Sequence, residues 1–315
     1  QIILCEFFQK PLLKKLTKND LEASFSKQSM LEFKADIKKI RERNKDHDLY
    51  LKHVVLPSNK KLDLPIRAGF YVNWDPQARF SLEINASELN MVLPEWLFVN
   101  DSTNQVTVKI DSIALNIMRK EKVAIVPMVT NFYKGKFNGS NVNRIISSKH
   151  NRNEFIANII QILDKYKFQG INIDFENLED FVGTDDLVNF QKELYTSLHE
   201  RNYLVTQDIQ PFNNAYNLNK LAKTNDFIFL MAYDQHNSLN LPGPIASQKW
   251  VEAALDETLK KIPNEKLILC IPAYGYDWAE GCVGTNVSYH KAITKAAQKG
   301  SKISFNNHTF NLDYT

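Results

Sequence analysis

The chain has 315 residues, of which 43% are hydrophobic and 24% are charged. This composition is typical of a globular protein with a large core, and it excludes an intrinsically disordered chain. The 39 basic and 36 acidic residues leave a net charge of +3, which gives no reason to expect a nucleic-acid partner.

Residues 1–62 predict a polar helical extension followed by a linker. Lysines are concentrated there, and a loose apolar stripe of helical spacing is formed by Leu31, Ala35, Ile37 and Ile40. We interpret the lysines as a solvated helix face; the alternative is that they lie near an anionic membrane surface. No window of about 18 apolar residues occurs, so membrane association is expected only through segments outside this sequence.

From residue 66 onward, short apolar runs alternate with loops and amphipathic helical stretches. Seven runs have the length of buried strands: 66–73, 91–99, 123–130, 170–175, 204–209, 227–233 and 267–273. This alternation predicts an α/β fold, a (β/α)8 TIM barrel over residues 63–280, with the eighth strand expected beyond residue 315. An open doubly wound sheet would alternate in the same way, but none of the runs is followed by the glycine-rich phosphate loop of that fold.

Residues 281–315 depart from this alternation. The pattern predicts a helix over 287–299 and two short strands, 303–305 and 309–312, around an Asn306-Asn307 turn. We therefore expect a small α+β insertion after the seventh strand.

The chain has three cysteines: Cys5, Cys270 and Cys282. Their spacing does not match that of metal ligands, so no metal site is expected. Cys270 lies within an apolar run and should be buried, and the cysteines do not fix the compartment.

The run 170–175 alternates between apolar and polar side chains. Successive side chains on a strand point to opposite faces, so Ile171, Ile173 and Phe175 should face covering helices. The opposite face, towards the barrel interior, then carries three polar residues: Asn172, Asp174 and Glu176. A capping or ion-pair cluster is the alternative, but burial of three polar side chains is costly unless each finds a partner. Barrel enzymes carry their catalytic groups at the C-terminal ends of the strands, so the pattern alone leaves an active site and a structural cluster equally open.

The spacing QxxNxDxE of Gln169, Asn172, Asp174 and Glu176 resembles DxxDxDxE, the fourth-strand signature of glycoside hydrolase family 18, the chitinase-like enzymes. Three further segments are similar to motifs of this family in the same order: 68–74 in the first strand, Met231-Ala232-Tyr233-Asp234 in the sixth and Pro272-Ala273-Tyr274-Gly275 in the seventh. The resemblance spans about residues 66–278. The residues of these motifs are most similar to those of bacterial cell-surface members fused to polysaccharide deacetylase and glycosyltransferase modules. This similarity implies an extracytoplasmic or cell-surface location.

The resemblance implies a glycosidase that cleaves β-1,4- or β-1,6-linked N-acetylglucosamine polymers by substrate-assisted retaining hydrolysis. Glu176 would protonate the glycosidic oxygen, and the acetamide oxygen of the substrate would be the nucleophile. Asp174 would accept the acetamide N–H, while Tyr233 would donate its hydroxyl to the same group. Neither a metal nor an organic cofactor is implied. The other candidate substrate-binding residues are Asn172, Met231, Asp234, Tyr71 and Trp278.

Some of these candidates also have plain structural interpretations. Met231 fits core packing, and Asp234 at a strand end fits a helix cap. Tyr71 and Trp278 are either sugar-stacking platforms or ordinary aromatics of the barrel rim. Three further candidates have less support: Trp96, Asp208 and Asp277.

Asn172 is the main departure from the family signature, which has there a carboxylate able to share a proton with the one matching Asp174. An amide cannot ionise, so we expect Asn172 to donate a hydrogen bond to Asp174 and to keep that carboxylate charged. Gln169 also departs from the signature, but it stands near the start of the strand and is expected to be structural.

Three other functions remain open on the sequence. One is a catalytically weak barrel that binds and guides polysaccharide for fused modules, although Glu176 argues against it. The second is an enzyme acting on partly deacetylated polymer, which lacks the acetamide nucleophile at some sugars. The third is an unrelated α/β enzyme, but the sequence contains no phosphate- or nucleotide-binding loop that would support it.

Overall fold

The computed structural model describes residues 66–178, 184–279 and 282–314, together with two short strands, Val54–Val55 and Lys61–Leu62. These two strands pair antiparallel within the segment predicted to be a linker. Apart from them, the predicted helical extension over residues 1–62 lies outside the described residues. Within the described residues, none of the helices has the length and apolar character needed to cross a membrane.

A parallel sheet forms the larger unit of the chain, and each of its seven main strands lies in one of the predicted runs. The strands are β1 (Ala68–Tyr71), β2 (Met91–Val99), β3 (Met128–Thr130), β4 (Gly170–Asp174), β5 (Leu204–Ile209), β6 (Phe227–Met231) and β7 (Leu267–Cys270). Each strand pairs in parallel with the next in the chain. Sequential parallel order is that of a TIM barrel, which confirms the predicted fold class.

The sheet has β1 and β7 at its two ends among the described residues. Ala124–Ile125 extends the pairing of β2 before β3 begins, and Val106–Val108 pairs antiparallel with β2. A small hairpin, Phe132–Tyr133 with Lys136–Phe137, follows β3. The position of an eighth strand beyond residue 315 stays a prediction. Cys270, at the end of β7, is buried as expected.

Helices follow most of the strands, and several begin at a side-chain cap. They are α1 (Pro76–Asn85), α2 (Ser112–Lys120), α3 (Gly139–Ile146), α4 (Lys149–Tyr166), α5 (Thr184–His199), α6 (Leu218–Leu221), α7 (Gln248–Leu259) and α8 (Tyr289–Lys299), with a 3-10 turn at Ala86–Glu88. Asp75, Asp111, Asn138 and Ser148 accept a backbone N–H at the starts of α1 to α4 and satisfy groups that a helix leaves unpaired.

The two faces of β4 differ as the alternation predicts. Ile171 and Ile173 are fully buried, and the Phe175 ring lies 6.5 Å from that of Phe155 in α4 and 5.9 Å from that of Phe190 in α5. This face therefore packs against the covering helices, and the polar residues of β4 lie on the other face. The aromatic cluster fixes the rotation of the strand and so determines where its carboxylates point.

A second unit includes residues 232–254 and 271–314. Here β8 (Tyr274–Asp277) pairs antiparallel with β9 (Thr285–Ser288), and β10 (Ile303–Asn306) pairs with β11 (Asn311–Tyr314). Helix α8 begins two residues later than predicted because Val287 and Ser288 belong to β9, and the Ser288 hydroxyl then caps the helix.

The second strand of the β10–β11 pair also begins two residues later than predicted. The side chain of Asn306 accepts the backbone N–H groups of His308 and Thr309, which folds those residues into the turn. Asn and Asp side chains commonly form turns of this kind, and hydropathy alone does not locate the end of such a turn.

The contact between β4 and β5 generates a stability prediction at Gly170. A Cβ at this position would lie 2.4 Å from the Leu204 backbone oxygen and 2.5 Å from the Leu204 Cβ. Gly170→Ala should therefore push the strands apart and lower the free energy of unfolding by about 1–3 kcal/mol, as overpacking does.

Gly275 in β8 provides the matched control, since a Cβ there has no atom within 4 Å. Urea unfolding of the two alanine variants beside the wild type measures the difference. Equal loss of stability in both variants would contradict the close contact at Gly170.

Candidate active site

Four carboxylates come from three strands of the parallel sheet, two of which, β4 and β5, are neighbours. Glu95 lies in β2, Asp174 ends β4, Glu176 follows two residues later, and Asp208 lies in β5. The C-terminal ends of parallel strands meet at one edge of the sheet, where barrel enzymes carry their active sites. Asp174 is 5% exposed and Asp208 is fully buried, whereas Glu176 is half-buried. We call these four residues the carboxylate cluster.

Asn172 connects β4 to β5 through its side-chain amide. Its Nδ2 donates to Asp208 Oδ2 at 2.6 Å, and the Thr206 hydroxyl donates to its Oδ1 at 2.7 Å. The sequence had led us to expect a hydrogen bond from Asn172 to Asp174. The structure shows that the bond goes to Asp208 instead. The physical reason is the strand register, which places Asn172 beside Thr206 and brings the next inward residue of β5, Asp208, within reach.

Burial dominates the protonation of the two inner carboxyl groups. Desolvation raises the pKa of Asp174 to about 7; a hydrogen bond from Thr130 opposes this shift, and the charge of Glu95 adds to it. Burial also raises the pKa of Asp208 well above its ordinary value, as do the charges of Asp174 and Glu176, while the bond from Asn172 opposes the shift. Two neighbouring carboxyl groups out of contact with water do not both ionise easily, so the pair retains a proton near neutral pH.

The two carboxyl oxygens of Asp208 differ in their hydrogen-bond partners. Its Oδ2 accepts from Asn172, while its Oδ1 is buried and has no hydrogen-bond partner among the described residues. A carboxylate oxygen left unpaired in the interior is costly, whereas a protonated oxygen can donate to a neighbouring acceptor. The geometry thus fits a neutral Asp208 that carries its proton on Oδ1.

Glu176 is held through both its backbone and its side chain. The Asn131 side chain accepts the Glu176 backbone N–H at 3.0 Å and donates to its carbonyl at 2.9 Å. Gln210, directly after β5, donates from Nε2 to Glu176 Oε2 at 2.5 Å. The following residue, Asn177, has a φ of 54°, a left-handed conformation that asparagine tolerates, and the chain turns away there.

Tyr71 does not fit the predicted role of a sugar-stacking platform. Its side chain is 3% exposed, its hydroxyl donates to Asp111 Oδ2 at 2.7 Å, and its ring packs edge-on against Trp96. No ring face is left for a sugar. Trp96 is fully buried and donates to Asn73, so it also belongs to the core.

Met231, at the end of β6, is 8% exposed, a placement that agrees with core packing. Gln169 has the structural role expected for it, because its Oε1 accepts the backbone N–H of Ile125. Neither side chain therefore offers a group to a ligand in this conformation.

The remaining sequence candidates lie in the second unit. Asp234 is exposed with a φ of 61°, and its Oδ1 accepts from the hydroxyls of Tyr274 at 2.7 Å and Tyr276 at 3.1 Å. The rings of Tyr233 and Tyr274 are 5.9 Å apart. This cluster brings together the two motifs that the sequence matched separately, and Asp234 does not act as a helix cap here.

Two other residues of this unit have local structural partners. Trp278 donates from its indole nitrogen to the Asn240 carbonyl at 3.1 Å. Asp277 is held by Lys295 and by the Tyr314 hydroxyl, an arrangement that favours a structural ion pair over a site role.

Sequence reasoning missed three residues that contact the carboxylate cluster: Thr130, Asn131 and Gln210. All are uncharged, and no acidic or metal-ligand spacing singles them out. One signal was present, however, because Thr130 ends a predicted strand and the other two directly follow one. In a parallel barrel, that position alone indicates the functional edge.

Comparison with known proteins identifies the family. A sequence model of glycosyl hydrolases family 18 matches residues 67–313. The uncharacterized glycosylase YvbX of Bacillus subtilis (strain 168) is 27% identical over 217 residues, covering 64% of this chain and 62% of YvbX. The putative sporulation-specific glycosylase YdhD of the same organism is 26% identical over 216 residues, covering 65% and 50%. The chain thus spans less than two thirds of the length of these curated relatives.

Solved structures support the same assignment at the level of the fold. The chitinase from Chromobacterium violaceum ATCC 12472 matches with a TM-score of 0.71 and 22% identity, covering 79% of this chain and 81% of that chain. Likeness at this identity concerns the fold alone, and it agrees with the sequential parallel sheet. Because the family match covers most of its length, the chain belongs to glycosyl hydrolases family 18.

Proposed function

We propose that this chain is a glycosidase that cleaves N-acetylglucosamine-containing polysaccharide by substrate-assisted retaining hydrolysis, with Glu176 as the acid and base. The observation that carries the proposal is a half-buried Glu176, two residues after the end of β4, whose charge interacts with a buried carboxyl group of the pair Asp174 and Asp208. Carboxyl groups kept in different environments can divide acid and charge-stabilising roles between them.

In the first step, Glu176 gives its proton to the glycosidic oxygen while the acetamide oxygen of the substrate attacks the anomeric carbon. The bond to the leaving sugar breaks, and an oxazolinium ring forms. In the second step, water gives a proton to Glu176 and attacks the anomeric carbon. The bond between that carbon and the acetamide oxygen breaks, which restores both the acetamide and the acid. The substrate supplies the nucleophile, so the protein contributes the acid, the orientation and the charge stabilisation.

Asp174 is proposed to accept the acetamide N–H and to stabilise the positive charge of the oxazolinium. This role needs a charged Asp174, and that state is favoured when the proton retained by the pair lies on Asp208. The pair thus does what the sequence led us to expect of Asn172, which instead holds Asp208 in place. The hydroxyl donation to the acetamide by Tyr233 remains a prediction from the family motif, as do substrate contacts by Asp234 and Trp278.

The proposed setting is extracytoplasmic or at the cell surface. It is supported by the resemblance to bacterial cell-surface members and by the similarity to a glycosylase named as sporulation-specific. Fusion to deacetylase and glycosyltransferase modules remains a prediction, as does membrane association through segments outside this sequence. A barrel that only binds polysaccharide is not favoured, because Glu176 is present.

The assignment of the acid predicts the behaviour of Glu176→Gln. Glutamine retains the shape but has no proton of useful acidity, so hydrolysis of a soluble acetamido-sugar oligomer should fall by a factor of about 100 to 10,000. Polymer binding in a pull-down assay should persist. Glu265→Gln is the control, since Glu265 is an exposed glutamate of the same unit. Turnover near that of the wild type in Glu176→Gln would refute the proposed function.

The Asn172–Asp208 contact predicts a rescue. Asn172→Asp replaces the donor with a third buried carboxyl group, so the acidic limb of the rate profile should move up by about 1 pH unit. The double variant Asn172→Asp with Asp208→Asn restores two carboxyl groups and one amide, and its limb should return towards that of the wild type. Rates against pH for both variants and the wild type measure this. Superimposable profiles would show that the contact does not tune the site.

Protonation of the pair predicts how stability depends on pH. An acid whose folded pKa is raised keeps its proton in the fold at a pH where the unfolded chain has lost it. Its contribution is complete below the unfolded value of about 4 and declines until the folded value, about 7 for Asp174, with a slope of up to about 1.4 kcal/mol per pH unit.

Asp208→Asn removes one of these protons but keeps the hydrogen-bonding shape. The free energy of unfolding should therefore fall less in the variant than in the wild type between pH 5 and pH 8. The lower pH lies within the window of about 4 to 7, and the higher pH lies just above it. Urea unfolding at both pH values gives the two differences. Groups that do not interact with Asp208 contribute equally to both and cancel, whereas Asp174, whose charge interacts with Asp208, changes in the same direction. An unchanged pH dependence would show that Asp208 is ionised in the fold.

A further inference from the structure

A chain of three hydrogen bonds leads from a backbone group to the carboxyl group of Glu176. The Ala215 backbone N–H donates to Asn213 Oδ1 at 2.8 Å, and Asn213 Nδ2 donates to Gln210 Oε1 at 2.9 Å. Gln210 Nε2 then donates to Glu176 Oε2 at 2.5 Å. We call this series the amide chain.

The amide chain has a direction that its members cannot reverse independently. A backbone N–H can only donate, so Asn213 must turn its oxygen towards Ala215 and its amino group towards Gln210. Gln210 must in turn present its oxygen to Asn213 and its amino group to Glu176. Oε2 of Glu176 is therefore required to accept a hydrogen bond, whatever the protonation state of the carboxyl group.

The loop that contains the amide chain is firmly attached next to Glu176. The Tyr216 hydroxyl donates to the Phe175 carbonyl at 2.9 Å in the interior. Between the two amides, Phe212 has a φ of 60°, a left-handed conformation that a bulky residue adopts only when its surroundings impose it. This turn lies between Gln210 and Asn213 in the loop.

We propose that Gln210 and Asn213 are positioning residues that assign the catalytic proton of Glu176 to Oε1. The proposal rests on the proposed function, because it takes Glu176 to be the acid. With Oε2 occupied as an acceptor, the neutral acid carries its proton on Oε1, which gives it to the glycosidic oxygen. The carboxylate that remains keeps the Gln210 bond, so the same Oε1 takes the proton of the attacking water in the second step.

Asn213→Asp tests the direction of the amide chain without altering Gln210 or Glu176. One oxygen of the new carboxylate still accepts from Ala215, but the other faces Gln210 Oε1 and repels it. The Gln210 amide is then expected to turn over and present its oxygen to Glu176. That oxygen accepts a proton on Oε2 and stabilises the neutral acid with its proton on the wrong atom.

The expected result is a fall in kcat of about tenfold or more with KM within about twofold of the wild type, and a basic limb of kcat moved to higher pH. A merely structural role for Asn213 would not move that limb. Asn214→Asp is the matched control: Asn214 is exposed on the same loop, and the substitution adds the same charge one residue away. Its profile should superimpose on that of the wild type.

Gln210→Met provides a second variant that adds no charge. It removes the donor while keeping the length of the side chain, and it should also lower kcat and move the basic limb upward. Circular dichroism and thermal unfolding establish that each variant is folded, and if one is not, the other decides.

An Asn213→Asp variant with the kcat and pH profile of the wild type would overturn the proposal, even if Gln210→Met loses activity. So would an Asn214→Asp control that shifts as much as Asn213→Asp. Failure of the proposed function is a separate result, since it would appear as retained hydrolysis in Glu176→Gln. If Glu176→Gln loses activity while Asn213→Asp keeps the kcat and pH profile of the wild type, only the proposed role of the amide chain is refuted.

Discussion

The loss of water around carboxyl groups at the C-terminal edge of the sheet is the constraint on which the rest of the site depends. Asp174 and Asp208 are almost completely excluded from solvent, and a charge in such a place must be neutralised by a proton or stabilised by hydrogen bonds. Two carboxyl groups on neighbouring strands allow one proton to serve both. The strand register that brings Asp174 and Asp208 together thus also determines their protonation.

Neutral side chains donate hydrogen bonds to Asp174, Asp208 and Glu176, and this distinguishes these three from a structural carboxylate elsewhere in the same unit. Thr130, Asn172 and Gln210 contact the cluster. Around Asp111, burial alone would raise the pKa, but hydrogen bonds from Tyr71 and the Ala114 N–H and the charge of Arg79 lower it. A guanidinium fixes a carboxylate in one charge state, whereas neutral donors leave a proton free to move. Asp111 therefore stays charged and caps α2, whereas Asp174 can change its protonation state, as the proposed mechanism requires.

Much of the fold could be predicted from the sequence because the relevant signals are local. Buried parallel strands are short apolar runs, and alternation within 170–175 separates the core face from the polar face. The partner of Asn172 could not be predicted, because it stands on another strand and depends on register. The two interpretations of Tyr71 could not be separated for a related reason: the sequence does not show whether a strand aromatic faces a sugar or, as here, packs in the core with its hydroxyl on an aspartate.

The uncharged residues at the strand ends show the same limit more generally. In the sequence, Gln210 and Asn213 have the appearance of ordinary loop amides. In the structure, the backbone N–H of Ala215 gives their hydrogen bonds a direction. No pattern in the sequence encodes which way an amide faces. Function in this region is therefore carried by orientation as much as by residue type, and orientation is a property of the folded chain.

The grip of Asn131 on the backbone of residue 176 has a consequence for substitutions at that residue. The main chain there is secured by another residue's side chain, so its path does not depend on which side chain residue 176 itself bears. A substitution at residue 176 can then remove the proposed acid while the hydrogen bonds that hold the main chain remain. In a chain built in this way, the proposed acid and the local fold can be lost separately, because they depend on different residues.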